Sequence, residues 1–519
     1  MTSIVLGIAI LSIIAGQAQA VKYGTEHFTD SEEGTFVAFG NGYVSFVDAE
    51  NYQIVKTLTR DSKGNDLVNQ VGEPISWADA IYMECPSSPD SDELRSLIFV
   101  NQRDSWTVDE DVPDTDELFT NEPFSYVSVI DTDAMEIIGE VKVGPRPIHA
   151  YAIPWRNEFW THIDGRAEFD VIHCDDIFNT SVERLAANVE SSGHGKLLVH
   201  PDLNQTGFAT HVSEPYIFEI NLEEKELVTA HSIEAAESCN GLHAVDYSPI
   251  NGHLFAECTG GGGIIEFDVK NDVLVHQWLD ETGALYESPD GGFIVSSNKA
   301  NNLFHVLQPQ ENGDKSTKAF ADIMIPSPGS PVFYPNGQAK DKDNVTFQDY
   351  IVFVPLINNP SYNYVECVYG SDGRSLAVDE DGNALTPNCG SCNPDPQYQG
   401  RLSGFAYFDL ADLSDVDSLY SKDPEFISAG AVEPTAPYPY SPECGYGRTY
   451  RKAARGGKFV VSGADFDNDN GEPAIVIINA ESRELHGSIP IRSRPTWITY
   501  VPKEKGLLPD TQGGDGRND

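Results

Sequence analysis

Eight short segments of the chain share one pattern: "YVSFVDAE", "YVSVIDTD", "EFDVIHCDD", "YIFEINLE", "GIIEFDVK", "NLFHVLQP", "FAYFDLAD" and "AIVIINAE". Each alternates apolar and polar residues with the two-residue period of a half-buried strand, and most end on an acidic or amide residue. Most are followed by a second strand, as in "EIIGEVKVG" and "ELHGSIPIRS", then by a Gly or Pro turn and a third, as in "RPIHAYAIP" and "RPTWITYVP". The unit is a four-stranded antiparallel meander. Its spacing of about 40 to 50 residues is the period at which four-stranded repeats stack radially. The fold class is therefore all-β, a β-propeller of four-stranded blades, eight by this count with seven as the alternative. The chain opens with "GTFVAFGNGYVSFVD", the second and third strands of a blade, and ends with "RPTWITYVPK", a first strand. The ring is thus expected to close by joining both ends of the chain within one blade.

"YVSVIDTDAMEIIGEVKVGPRPIHAYAIP" and "AIVIINAESRELHGSIPIRSRPTWITYVP" resemble YVTN-type repeats, a family related to the propellers of amine dehydrogenases, nitrous oxide reductases and dissimilatory nitrite reductases. The resemblance runs through most of the units and lapses between 310 and 400. It implies the propeller fold and leaves the activity open, because propellers host many functions.

The first twenty residues, "MTSIVLGIAILSIIAGQAQA", form an apolar run ending in Ala18-x-Ala20, which reads as a cleavable secretory signal over 1–20. That run is too short for a membrane span. The expected organisation is a secreted single domain over 21–503, followed by a disordered polar tail over 504–519. Asp and Glu outnumber Lys and Arg by 81 to 33, so phosphate backbones and anionic membranes are repelled, and neither nucleic acid nor membrane insertion is expected. Eight cysteines in an exported chain point to disulfides. Cys367, Cys389, Cys392 and Cys444 cluster toward the C-terminal half, where at least one loop staple is expected.

Strands A to D are counted from the channel outward. Neighbours in a meander are antiparallel, so the start of A and the end of B meet on one face, the top, together with the B-to-C and D-to-A connections. Insertions near 102–124 and 358–401 follow strand B of the second and seventh blades and fall on that face. Three glycosylation sequons, at Asn179, Asn204 and Asn344, fall in turns of the opposite face.

Histidines gather at the top. "FWTH" and "FATH" end strands B and place His162 and His211 there, while strands A start with His149 ("RPIHAYAIP"), His194 ("SGHGKLLVHP") and His243 ("NGLHAVDYSP"). Blade three pairs His149 with His162, blade four His194 with His211, and blade five His243 with Cys258 of "FAEC". Imidazoles and a thiolate converging from adjacent strands suit copper first, with zinc or iron as alternatives. Trp497 stands in the register of His149 with no ligand role, so each histidine on its own reads equally well as a repeat residue. The resemblance adds that nitrous oxide reductases hold a copper cluster with channel histidines from several blades, although no cupredoxin-like domain accompanies this chain. "DFDNDNG" offers Asp465, Asp467 and Asp469 as a calcium loop or a plain acidic turn. No hydrolase elbow or zincin motif is present.

Two functional readings follow. One is a binding or scaffold propeller whose top face holds a small molecule, protein or glycan, with or without a metal in the channel. The other is a metal-dependent, copper-favouring oxidoreductase using the His and Cys set.

Overall fold

The computed structural model describes residues 34–503 except 70–71, 88–92, 104–122, 167, 175–182, 187–192, 280–282, 299–302, 311–316, 326–327, 341–345, 356–403, 414–424, 429–448, 465–472 and 494. Its strands form eight separate four-stranded antiparallel sheets, each paired in sequence order, in a ring of eight blades. Strands A are the innermost of each sheet, and most of them touch the strand A of the next blade. Among the described residues no helix is long and apolar enough to cross a membrane.

Closure follows the expectation from the two chain ends. Strand A of blade 1 is the last of the chain (Trp497–Pro502), and it pairs with the first (Gly34–Gly40) from Gly34↔Pro502 to Phe39↔Trp497. The two faces of that blade carry different sets of side chains. Val37, Phe39, Val44 and Phe46 pack with Trp77, Tyr82, Ile98 and Val100 of blade 2, whereas Phe36, Ala38 and Val47 pack with Phe459, Val461 and Ile475 of blade 8.

Burial on both faces corrects the half-buried reading of these strands. Phe36 through Phe39 are all essentially inaccessible, because each inner strand is sandwiched between two neighbouring blades. Apolar residues therefore occupy both parities in B and C. Exposure is concentrated in the outer strands D, such as Gln53–Leu58 and Glu226–Ser232, and in the later half of strand A of blade 7 (Val332–Lys340).

The acidic or amide residue ending most C strands has a structural cause. Oδ1 of Asp48, Asn221 and Asn479 accepts two backbone N–H groups, two and three residues ahead, at 2.9 to 3.1 Å. The carboxyls of Asp131 and Asp268 likewise accept from the third residue, at 2.9 and 3.1 Å, and from the second, Asp133 and Lys270. Such side-chain caps substitute for backbone bonds in the C-to-D turn. The turns then end on a residue at positive φ: Tyr52, Met135, Lys225, Asp272 and Arg483.

Two disulfides are formed among the described residues, Cys85–Cys174 between blades 2 and 3 and Cys239–Cys258 within blade 5. The expected staple among Cys367, Cys389, Cys392 and Cys444 lies outside the described residues. The two insertions also lie largely outside them, and the strands that flank them are B and C of blade 2 (Leu94–Gln102, Ser125–Asp131) and of blade 7 (Thr346–Pro355, Gly404–Asp409). Trp77 and Trp497, both in strands A, are packed in the core between blades 1 and 2.

Candidate functional site

The top of the channel is shaped by a recurring irregularity where strand A meets strand B. In blade 2 the register steps from Trp77↔Gln102 to Ala80↔Val100, in blade 3 from Pro147↔Ile163 to Ala150↔Thr161, and in blade 5 from Leu242↔Cys258 to Val245↔Ala256. In each, two residues of strand A oppose one of strand B, a β-bulge of the kind that re-aims side chains at sheet ends. The opposed sets are Ala78–Asp79 with Asn101, Ile148–His149 with His162, and His243–Ala244 with Glu257. Asp79 and His149 take the second bulge position and His243 the first.

This register corrects one expectation. Glu257, not Cys258, occupies the strand B position of His162. The Cys258 sulfur is bonded to Cys239, so it offers no thiolate to a metal.

Four of the five histidines share one environment. Nδ1 of His149 lies 3.0 Å from Asp79 Oδ2, Nδ1 of His162 lies 2.8 Å from Asp164 Oδ1, Nδ1 of His194 lies 3.1 Å from Asp164 Oδ2, and Nδ1 of His243 lies 2.8 Å from Glu257 Oε2. His149, His162 and His243 are buried, and His194 is the ring most open to solvent. Burial raises the Asp164 carboxyl, but hydrogen bonds and charge from His162 and His194 outweigh it and hold that carboxyl well below the usual carboxylate range. An ionised carboxylate can only accept, so Asp164 keeps a proton on Nδ1 of His162 and of His194, and the carboxylates of Asp79 and Glu257 stand in the same place beside His149 and His243; in each ring Nε2 is the nitrogen left for another partner. Carboxylate-backed imidazoles of this kind are the common form of a metal-ligating histidine.

The rings converge across blades and not within them. His149 and His194 have ring centroids 4.7 Å apart, and His194 stacks on His243 at 5.0 Å. His162 lies farther out, 6.3 Å from His194 and 6.4 Å from His149. Nε2 of His149 and Nε2 of His194 face each other at 3.1 Å. With both Nδ1 atoms protonated, that contact needs one additional positive charge, either a proton on one ring or a cation between them. Tetrahedral sites with metal–nitrogen bonds of about 2.0 to 2.1 Å place their nitrogens about 3.3 Å apart. Among the described residues no three His, Cys, Asp or Glu side chains are gathered closely enough to hold an ion as they stand.

His211 is different. Its Nδ1 accepts from the Ser213 N–H at 3.3 Å and contacts Ser213 Oγ at 2.9 Å, so its proton sits on Nε2, a buried atom without a hydrogen-bond partner. The cause is legible in two short strings. "THID" places Asp164 two residues after His162, and "THVS" places Ser213 two residues after His211. Burial, followed by the nearby His162 and His194, lowers the His211 imidazole to about 4 against the opposing pull of Asp164. Gly193 makes room for this ring, since a Cβ there would sit 2.4 Å from its Nε2.

The structure thus gathers His149, His162, His194 and His243, and sets His211 and Cys258 apart. Asp79, Asp164 and Glu257 are the carboxylates that sequence reasoning missed, and each stands at a readable place: Asp79 in the register of His149, Asp164 beside His162, and Glu257 next to Cys258. Asn204 is exposed in the A-to-B turn of blade 4, on the face opposite the histidines. Asn179, Asn344, Asp465, Asp467 and Asp469 lie outside the described residues.

No protein-family model matches the chain, so the likeness to YVTN repeats stays a likeness. Two structures of AztD from Citrobacter koseri, one of them apo, align at TM-scores of 0.45 and 0.42 with 13% and 12% identity, over 90% and 93% of this chain and 97% and 99% of theirs. The dihydro-heme d1 dehydrogenase NirN, solved in complex with DHE, aligns at a TM-score of 0.51 with 11% identity, over 90% of this chain and 75% of that one. At that identity the likeness concerns architecture alone, and it agrees with the strand pairing: the chain is a β-propeller.

Proposed function

We propose that this protein is an exported binding propeller that captures a divalent transition-metal ion at the top of its channel. Nε2 atoms of His149 and His194 supply the first two ligands, and the His162 and His243 rings turn toward them to complete the shell. The reading is carried by one observation, the 3.1 Å approach of two Nε2 atoms whose rings are both held at Nδ1 by carboxylates. Imidazoles without a thiolate suit zinc or copper(II), and the loss of Cys258 from the set removes the soft donor that would favour copper(I). Disulfides within the propeller support export. Binding is the activity assigned.

The test is metal content by inductively coupled plasma mass spectrometry, followed by zinc and copper(II) titration. Wild type is expected to take up one ion per chain, a His149→Ala, His194→Ala double variant none, and a His211→Ala variant one. A folded wild type that takes up neither metal would overturn the proposal.

A further inference from the structure

We propose that the Cys239–Cys258 disulfide is a redox latch on this metal site: it holds the His243–Glu257 pair in position, and its reduction to two thiols weakens metal binding. The inference rests on the metal reading above and adds its regulation.

The bond sits at the point where the His243 arm of the site is least fixed by the sheet. His243 lies in the bulge between the pairs Leu242↔Cys258 and Val245↔Ala256, so ladder hydrogen bonds do not set its direction. Its carboxylate partner, Glu257, precedes Cys258 in strand B (His253–Cys258). Consecutive strand residues point to opposite faces. This segment is accordingly gripped on both sides, with Glu257 reaching His243 at 2.8 Å on one and Cys258 bonded to Cys239 on the other.

Cys239 belongs to the connection that delivers the chain from blade 4 into strand A of blade 5 (Leu242–Ser248). The disulfide therefore joins the two backbone stretches that carry the pair, three residues before Leu242 and one after Glu257. Backbone bonds also link these stretches, Thr259 N–H to Gly241 O at 2.8 Å and Asn240 N–H to Thr259 O at 3.3 Å. Gln277 adds a tie from strand D to Glu237. These contacts keep the connection folded when the sulfurs part, so the expected change is loosening and not unfolding. Asp79, His149, His194, Asp164 and His162 belong to blades 2, 3 and 4 and to their connections, and they share no backbone with this loop. Reduction affects one arm of the site and spares the rest.

The chemistry is an ordinary exchange. A dithiol donor gives two electrons and two protons to the Cys239–Cys258 bond, leaving two protein thiols, and becomes a disulfide itself. Both sulfurs are buried, but Glu237 and Ser238 beside Cys239 are exposed, which marks the side from which a donor approaches. Cys85–Cys174 joins the far ends of blades 2 and 3 and serves as the internal control.

The experiment measures zinc affinity by competition with a chromophoric chelator in four full-length proteins: wild type, Cys239→Ala with Cys258→Ala, His243→Ala, and the combination. Loss of the disulfide is expected to weaken zinc binding about tenfold in the wild-type background, the range in which outer-shell partners of a metal ligand act, and to have no effect once His243 is absent. A merely structural role lowers affinity equally in both backgrounds and overturns the latch, as does an unchanged affinity. Removing Cys85–Cys174 is expected to lower thermal stability while leaving zinc affinity in place. If the Cys239, Cys258 variant does not fold, wild type and His243→Ala are compared after reduction by a phosphine, which converts the bond and one water to two thiols and phosphine oxide. Absence of zinc binding by oxidised wild type overturns the metal reading and the latch with it, whereas zinc binding indifferent to the disulfide overturns the latch alone.

Discussion

Nε2 of His149 and Nε2 of His194 lie 3.1 Å apart although Asp79 and Asp164 already hold both rings by Nδ1. Two lone pairs do not face each other at that distance without a cation or a shared proton, and the backing carboxylates determine that they do so here. Asp79→Asn tests this directly. An asparagine can donate to Nδ1, which moves the His149 proton to Nε2 and lets it bond to His194 with nothing between them. Zinc affinity is expected to fall by about 10- to 100-fold with the fold retained, as read by titration and circular dichroism. An unchanged affinity would show that Asp79 does not set the tautomer.

His211 gives the metal-free protein an acid sensitivity. Its imidazole titrates at about 4 in the fold against 6.5 as a free group. Between those values the unfolded chain binds more protons than the folded one, so stability is full above about pH 6.5 and declines as pH falls toward 4. From pH 7.5 to pH 5 this single group contributes a loss of about 1 to 2 kcal/mol. Denaturant midpoints of chelator-treated wild type and His211→Leu at the two pH values check it. The variant is expected to lose less stability on acidification.

Glu266 is fully buried and accepts from His253 Nδ1, Asn251 Nδ2, Thr317 N–H and Thr317 Oγ1, all at 2.8 to 3.1 Å. It fastens blade 5 to the C-to-D connection of blade 6. Removing one partner of a buried charged network leaves the others unsatisfied, which costs about 3 to 5 kcal/mol. Glu266→Ala is expected to lower the thermal midpoint by several degrees, measured by calorimetry, without changing zinc affinity.

The repeat, the count of blades and their closure could be read from the chain because alternation and spacing are local signals that recur. The acidic or amide residue ending most C strands could be read as a mark, but its cause lies in turn hydrogen bonds that the sequence does not display. What escaped were the bulges. Nothing in "NGLHAVD" or "LFAEC" announces that two residues oppose one, so the sequence pairs His243 with Cys258 where the structure pairs it with Glu257. The same silence hid how His149 and His243, one bulge position apart, both reach His194. Pairing across blades is likewise invisible to a reading that aligns each blade on itself.

The difference between His162 and His211 reduces to the residue two places on, and it can be reversed. His162 is followed by Asp164 and carries its proton on Nδ1, while His211 is followed by Ser213 and carries it on Nε2. In Ser213→Asp the new carboxylate accepts from Nδ1, which moves the proton there and turns Nε2 into a lone pair. Nitrogen chemical shifts of labelled histidines report the tautomer of each ring. The expected spectrum shows His211 joining the pattern of His162, with its titration moving up from about 4, because a carboxylate beside an imidazole favours the charged form. If His211 keeps its proton on Nε2 in this variant, its tautomer is imposed by the Ser213 backbone N–H, and the side chain two residues on is not the determinant.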